Sequence, residues 1–347
     1  MINTDNFHTD KEYFAAANSH TGFISKFDKV FNRKNFKRIF ILKGGPGTGK
    51  STILKGLCSF GSENGFYTEA IYCSSDPHSL DGVILTNNDL KIGVLDGTSP
   101  HAEEAVCPGV IDELVDLGSG FDTRLLEEKR EVILRVSSFK KEAYEKAYDT
   151  LAEAAEIFEL ILKEIKDYDI YYLAERIADE NLSDFADTHG ELSETEIFFT
   201  AFGKNGLFTL PPKTEKKVIS IGGDFIFSHL VLYIIKEKLR RNSIKSTVYN
   251  SPLDRRICDR IETESYVFLY DNSYPSIDIS GISFSDYPLL YKLFDCYLAL
   301  LDKAKGYFKD ASSYHFELED IYKGAVDFKN NDTLFSTLVS RISGYLL

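Results

Sequence analysis

At 347 residues the chain exceeds one typical domain of roughly 150 residues, so length alone suggests two. Its 43% hydrophobic and 27% charged residues are the balance of a soluble globular protein, and no run of about 18 uncharged apolar residues could span a bilayer. A net charge of -14 repels nucleic acid unless Lys and Arg gather on one face; the basic runs KNFKR and KEKLRR are short and read as solvated surface.

The opening MINTDNFHTDKEYF is polar and acidic, without the basic start and apolar centre of a secretory signal, so a cytoplasmic protein is expected. Cys58, Cys73, Cys107, Cys258 and Cys296 form no CxxC pair and have no histidine at zinc-finger spacing, which predicts reduced thiols. The first β-rich run, FKRIFILKGG, stops at glycines and predicts a buried parallel strand. KSTILKGLCSF follows with Ile53, Leu54, Leu57 and Phe60 spaced for a helix with one face on a sheet. FYTEAIYC predicts a second strand, SSDPHSLDG a polar loop and KIGVLDG a third strand. The expected core is α/β with a parallel sheet.

From Phe121 to His189 there is neither Gly nor Pro, and Glu, Lys, Ala and Leu dominate, so helix is predicted. Val132, Val136, Phe139, Ala143, Ala147, Leu151, Ala154, Phe158, Ile161 and Ile165 form one apolar stripe. A helix of roughly 40 residues would be about 60 Å long. Either it projects as an arm, returning near KDYD through IYYLAERIADENL, or it forms an antiparallel hairpin packed on the sheet.

The second half repeats this order. Phe14, Ala17 and Gly22 recur at the same spacing as Phe198, Ala201 and Gly206, and RIFILKGG matches KVISIGG. TEAIYCSSD matches KSTVYNSPLD, placing Tyr72 on Tyr249. GVLDGTSP matches FLYDNSYP, placing Asp96 on Asp271 and Pro100 on Pro275. KAKGYFKDASSYHFELEDIYKGAVDF supplies a second long helical stretch. Two units are expected, 1–190 and 191–347.

Residues Gly44 to Ser51 read GGPGTGKS, a full GxxxxGK[ST] between a predicted strand and helix. This loop can wrap a polyphosphate: backbone N–H groups from Gly45 through Pro46, Gly47, Thr48 and Gly49 to Lys50 surround it, in angles that glycine tolerates. The helix starting near Lys50 adds its positive dipole end. Lys50 is expected to reach the β- and γ-phosphates, Ser51 to ligate Mg2+, and Thr52 to touch the α-phosphate. Asp96, ending the apolar KIGVLD, has the Walker B form and is expected beside Mg2+; a strand-terminal Asp-Gly turn is the plainer alternative. Residue 97 is glycine, so the Glu that activates water in many ATPases is missing. Asp76, His78 and Asp81 in one loop, and Ser99, His101, Glu103 and Glu104 in another, are candidates for that task. In the second half Ser228 and His229 stand at the positions of Lys50 and Ser51, and Asp224, Phe225, Ile226 and Phe227 replace the intervening loop residues. Nucleotide binding there is not expected, and His229 reads as a packed helix histidine.

FAAANSHTGF, FILKGGPGTGKST, CSSDPHSLDGV, VLDGTSPH, CPGVIDELVDLG and ELEDIYKGAVDF together resemble a bacterial family of ATPase-like proteins with two P-loop NTPase modules in tandem. The resemblance implies tandem P-loop folds, ATP at Gly45 to Thr52, and Asp76, Asp81, Asp96 and His101 within shared motifs. It implies no substrate. The departure IGGDFIFSH argues against a second active site. Three functions follow: an ATPase-like switch acting through contact between the repeats, with a protein partner on the helical arm; a small-molecule kinase with Asp76 or Asp81 as base; or a non-catalytic nucleotide-binding scaffold.

Overall fold

Strands and helices alternate twice along the chain in one order. The structure, a computed structural model, describes residues 7–165, 170–182, 188–272, 275–279 and 287–346; the predicted return near KDYD lies outside them. First come β1 (Lys11–Tyr13), a hairpin of β2 (Ala16–Ser19) and β3 (Gly22–Ser25), α1 (Phe27–Val30), β4 (Arg38–Lys43), α2 (Lys50–Glu63), β5 (Tyr67–Tyr72), β6 (Leu80–Asn87), β7 (Leu90–Asp96) and β8 (Asp112–Asp116). Three helices follow, α3 (Thr123–Glu128), α4 (Arg130–Ile165) and α5 (Ile170–Leu182). The order then recurs as β9 (Leu192–Glu194), a hairpin of β10 (Thr200–Gly203) and β11 (Gly206–Thr209), β12 (Lys217–Gly222), α6 (Phe225–Arg241), β13 (Ser246–Asn250), β14 (Cys258–Glu262), β15 (Tyr266–Tyr270) and β16 (Ile277–Asp278). The long α7 (Pro288–Lys323) and α8 (Lys329–Ser343) close the chain.

Each sheet has six strands, ordered β1-β5-β6-β7-β4-β8 and β9-β13-β14-β15-β12-β16. Strand directions match step for step: β1 with β5, β7 with β4 and β4 with β8 run parallel, as do β9 with β13, β15 with β12 and β12 with β16. The turns β5-β6-β7 and β13-β14-β15 are antiparallel. The expected parallel sheet is therefore corrected to a mixed one. The cause is β6, whose LDGVILTN was taken in part for loop; its first six residues are buried like those of a central parallel strand, so periodicity cannot show its direction.

Two compact units emerge, and they do not follow the halves of the sequence. Unit 1 comprises 1–17, 25–146 and 306–347; unit 2 comprises 18–24 and 147–305. In unit 1, Ile39, Phe40, Ile41 and Leu42 of β4 are fully buried. Ile53, Leu54 and Leu57 of α2 pack in the same core as Leu338 and Ile342 of α8. Each such side chain removed from water contributes about 2 kcal/mol. In unit 2, α6 buries Phe227, Val231, Leu232 and Ile235 with Phe158 and Ile161 of α4 and Ala174 and Ala178 of α5.

Of the apolar stripe of α4, Val136, Ala143, Ala147, Leu151, Ala154, Phe158, Ile161 and Ile165 are buried while Phe139 is exposed, so this helix is no free arm. Its C-terminal half shares the core of unit 2 with α5 and α6. In unit 1 the rings of Phe139 and Tyr144 meet Tyr314 and Phe308 of α7; in unit 2 Phe158 meets Tyr297 of α7, and α5 packs on α6. No helix among the described residues is long and apolar enough to cross a membrane.

Cross-strand register shifts two of the sequence pairings by one residue. Tyr72 faces Leu80 across a bulge as Asn250 faces Cys258, so Tyr72 corresponds to Asn250 rather than Tyr249. Leu95 faces Gly82 as Leu269 faces Arg260, so Asp96 corresponds to Tyr270 rather than Asp271. Unit 2 thus lacks a carboxylate at the Asp96 position.

Candidate functional site

The loop after β4 leaves the carboxyl end of the sheet between two parallel neighbours. Leu42 pairs with Asp96 of β7 and Lys43 with Asp116 of β8, which sets the Asp96 carboxylate beside the start of α2. Gly47 and Gly49 hold φ of +69° and +87°, the left-handed region where a Cβ is strained. Thr48 Oγ1 donates to the Gly45 carbonyl at 2.8 Å, and Asn331 Nδ2 donates to the Thr48 carbonyl at 2.8 Å. Among the described residues no acceptor takes the backbone N–H of Gly45, Gly47, Thr48 or Gly49. Several unpaired donors on one tight loop at a helix N-terminus are the chemistry that receives an anion.

Lys50 Nζ donates to the carbonyls of Gly44 at 3.1 Å and Gly45 at 2.9 Å and lies 3.6 Å from Asp96 Oδ2. The other Asp96 oxygen accepts from Thr98 N at 2.9 Å and Thr98 Oγ1 at 2.6 Å, so one carboxylate oxygen is fixed while the other faces Lys50. Ser51 Oγ accepts from Leu80 N at 3.0 Å. Pro46 is half-buried within the loop and Thr52 is exposed on α2.

The far end of the chain packs onto the same loop. A Cβ on Gly47 would stand 2.8 Å from the Glu319 carbonyl oxygen, and one on Gly45 would stand 3.2 Å from the Tyr322 ring. The connection from α7 to α8 is itself tied down by Asp122 N to the Ala325 carbonyl at 2.8 Å and Asp327 N to the Gly120 carbonyl at 3.0 Å. ELEDIYKGAVDF, which the sequence offered as part of a helical repeat and of the family resemblance, therefore forms the outer wall of the loop. Neither spacing nor periodicity carried that signal.

Next to the loop lies a buried acid–imidazole pair. His101 Nε2 is 3.2 Å from Asp81 Oδ2, and the imidazole stacks on Phe27 with centroids 4.7 Å apart. Burial works against the charged ring, but the Asp81 carboxylate outweighs it by charge and hydrogen bond and, helped by Asp96, lifts the His101 pKa to about 9. At neutral pH the ring is an imidazolium, a proton donor rather than a base. Burial, then the Asp81 charge, also pushes the Cys73 thiol well up.

The remaining candidates separate. Asp76 is half-buried in the loop after β5, its carbonyl accepting from Ser79 N at 2.8 Å. His78 and Ser99 are exposed. Glu103 pairs with Arg33 at 3.4 Å, and Glu104 with Lys43 at 2.7 Å, so both acids serve ion pairs. Gly97 is buried, and a Cβ there would stand 2.3 Å from Ile41 Cγ2. Any side chain at 97 would force Ile41 to shift in the core.

Among the described residues no cluster of three or more His, Cys, Asp and Glu gathers to cage a metal. A magnesium ion carried by a polyphosphate needs no such cage, since phosphate oxygens and water fill most of its shell. The donors Ser51 Oγ and the Asp96 carboxylate fit that lighter demand.

In unit 2 the strand-to-helix junction is shorter. Gly223 and Asp224 alone separate β12 from α6, against residues 44–49 between β4 and α2. Asp224 caps the helix, accepting from Ile226 N at 3.0 Å and Phe227 N at 3.1 Å. The residues that follow are wound directly into the first turn of α6. His229 keeps the place of Ser51: it packs on Cys258, through a 2.8 Å bond to its carbonyl, as Ser51 packs on Leu80.

No protein-family model, curated protein or solved structure matches the chain.

Proposed function

We propose that the protein binds Mg-ATP at Gly45–Thr52 of unit 1 alone and acts as an ATP-dependent switch with ATPase activity. The observation that carries this reading is the loop itself: unpaired backbone donors at the start of α2, with the Lys50 ammonium at their edge and Asp96 3.6 Å from it. Lys50 would exchange its two carbonyl bonds for β- and γ-phosphate oxygens. When bound, magnesium neutralises phosphate charge, and Ser51 and Asp96 would hold it.

Gly97 favours a switch over rapid turnover. With glycine rather than a carboxylate after Asp96, water activation has to come from groups such as Asp76, and the protonated His101 serves better as a charge facing the phosphates than as a base. The nucleotide state, rather than phosphate flux, would then be the output. The test is calorimetric titration with Mg-ATP, Mg-ADP and a non-hydrolysable ATP analogue, with phosphate release measured in parallel. Binding by the wild type that is lost in Lys50→Ala supports the proposal; no binding of any nucleoside triphosphate by the wild type refutes it. ADP formed only with an added acceptor would move the reading to a phosphotransferase.

A further inference from the structure

The buried face of α4 carries a lysine within its apolar stripe. Val136, Lys140, Ala143 and Ala147 follow one another at helical spacing on that face, and Val136, Ala143 and Ala147 are buried. Lys140 is half-buried among them. One turn further along, Tyr144 Oη stands 3.5 Å from Ser75 Oγ, so this part of α4 lies over the loop after β5. That loop opens at the carboxyl end of the sheet, where Lys50 and Asp96 also sit. The Lys140 ammonium accordingly lies within the field of Lys50: burial first and the Lys50 charge second lower its pKa, and no carboxylate offsets them among the described residues.

Lys50 has the Asp96 carboxylate 3.6 Å away, whereas Lys140, which the Lys50 charge repels, has no carboxylate within ion-pair distance among the described residues and stands as an excess of positive charge. Such an excess costs stability in the ligand-free chain and is repaid only when an anion arrives. We propose that Lys140 is a second phosphate-binding cation of the site, reaching from α4 to the terminal phosphate of the bound nucleoside triphosphate. The inference rests on the nucleotide reading of the loop and adds to it the group that distinguishes triphosphate from diphosphate. A cation on α4 that touches only the γ-phosphate ties that helix to the nucleotide before phosphate loss and frees it afterwards.

The experiment titrates wild type, Lys50→Ala, Lys140→Met and Lys140→Arg with a magnesium complex of a non-hydrolysable ATP analogue and with Mg-ADP. Methionine keeps an apolar stem and removes the charge, so the variant should fold with an unchanged or higher apo melting temperature. Losing one charge-assisted bond predicts about 10- to 100-fold weaker binding of the triphosphate analogue by Lys140→Met. Mg-ADP affinity should stay within about threefold, and Lys140→Arg should retain the preference for triphosphate. Equal losses for both nucleotides, or no loss for either while Lys50→Ala abolishes binding, would overturn the role of Lys140 and leave the nucleotide site standing. Failure of the wild type to bind either nucleotide would overturn both.

Discussion

Raising the pH should destabilise the protein through His101 by an amount that follows from its surroundings. An imidazole in the unfolded chain has a pKa of about 6.5, and in the fold the Asp81 carboxylate raises it to about 9. Between these values the folded state binds one more proton than the unfolded state, so stability must fall as pH rises. The contribution is fully present below about pH 6.5 and is lost as pH climbs through about 9. At about 1.4 kcal/mol per pH unit the two-and-a-half-unit span is worth about 3 kcal/mol. The side chain is only 6% exposed, so solvent screening takes little from that figure. Urea unfolding followed by circular dichroism, at several values from about pH 6 to about pH 9.5, would measure it in wild type and in His101→Gln. Buried groups that ionise higher, Cys73 among them, are present in both proteins. The difference in stability between them should therefore shrink by about 3 kcal/mol across the range. Parallel curves, or a gap that widens as pH rises, would refute the ion pair.

Gly97→Ala should destabilise unit 1 by about 1–3 kcal/mol, since its Cβ would meet Ile41 Cγ2 at 2.3 Å in the core, the range expected for overpacking; a melting temperature equal to wild type would contradict the close approach. In unit 2, burial raises the Asp259 pKa to about 7, so its stability contribution is present at low pH and lost as pH climbs through about 7. Asp259→Asn should accordingly gain up to about 4 kcal/mol relative to wild type between about pH 4 and about pH 8, and an unchanged difference in unfolding free energy would rule that out.

The strand, glycine loop and helix from β4 to α2 were legible because their whole signal is contiguous: a β-rich run, glycines where left-handed angles are needed, Lys50 and Ser51 at the first helical turn. The recurring order of elements was legible for the same reason, and both six-stranded sheets share one strand order. What the sequence hid depends on distant pairing. β6 holds Gly82 and a short buried run after a polar loop, and its antiparallel direction follows from neighbours rather than pattern. A Cβ on Gly82 would meet Phe31 and Ile71 at 3.1 Å, a packing reason for that glycine with no local trace. Asp81 and His101 lay in different predicted loops, and the pairing of β6 with β7 brings them together. Lys140 did leave a trace, a charge four residues after Val136 in an apolar stripe, but only the contact between Tyr144 and Ser75 tells which loop that face covers.

The two units resolve the same buried acid in opposite ways, and the difference follows from one helix position. Asp81 and Asp259 occupy equivalent places on β6 and β14, as the paired registers require. In unit 1 the small Ser51 accepts from Leu80 N, and the partner of Asp81 is the imidazolium of His101, arriving from the loop after β7. In unit 2 an imidazole stands where Ser51 would be. Because a carbonyl can only accept, His229 Nδ1 must carry a proton and donate it to Cys258, leaving the ring 3.9 Å from Asp259. Burial then lowers the His229 pKa to about 4 and raises that of Asp259 to about 7, so near pH 5.5 both groups of this pair are uncharged. Asp259 is left to Thr200, whose hydroxyl donates to it. A glycine loop with unpaired donors needs charged groups held ready around it; a capped helix such as α6 needs none. Through the Asp224 cap and the neutral Asp–His pair, unit 2 thus satisfies internally what unit 1 leaves unpaired in the loop from Gly45 to Gly49.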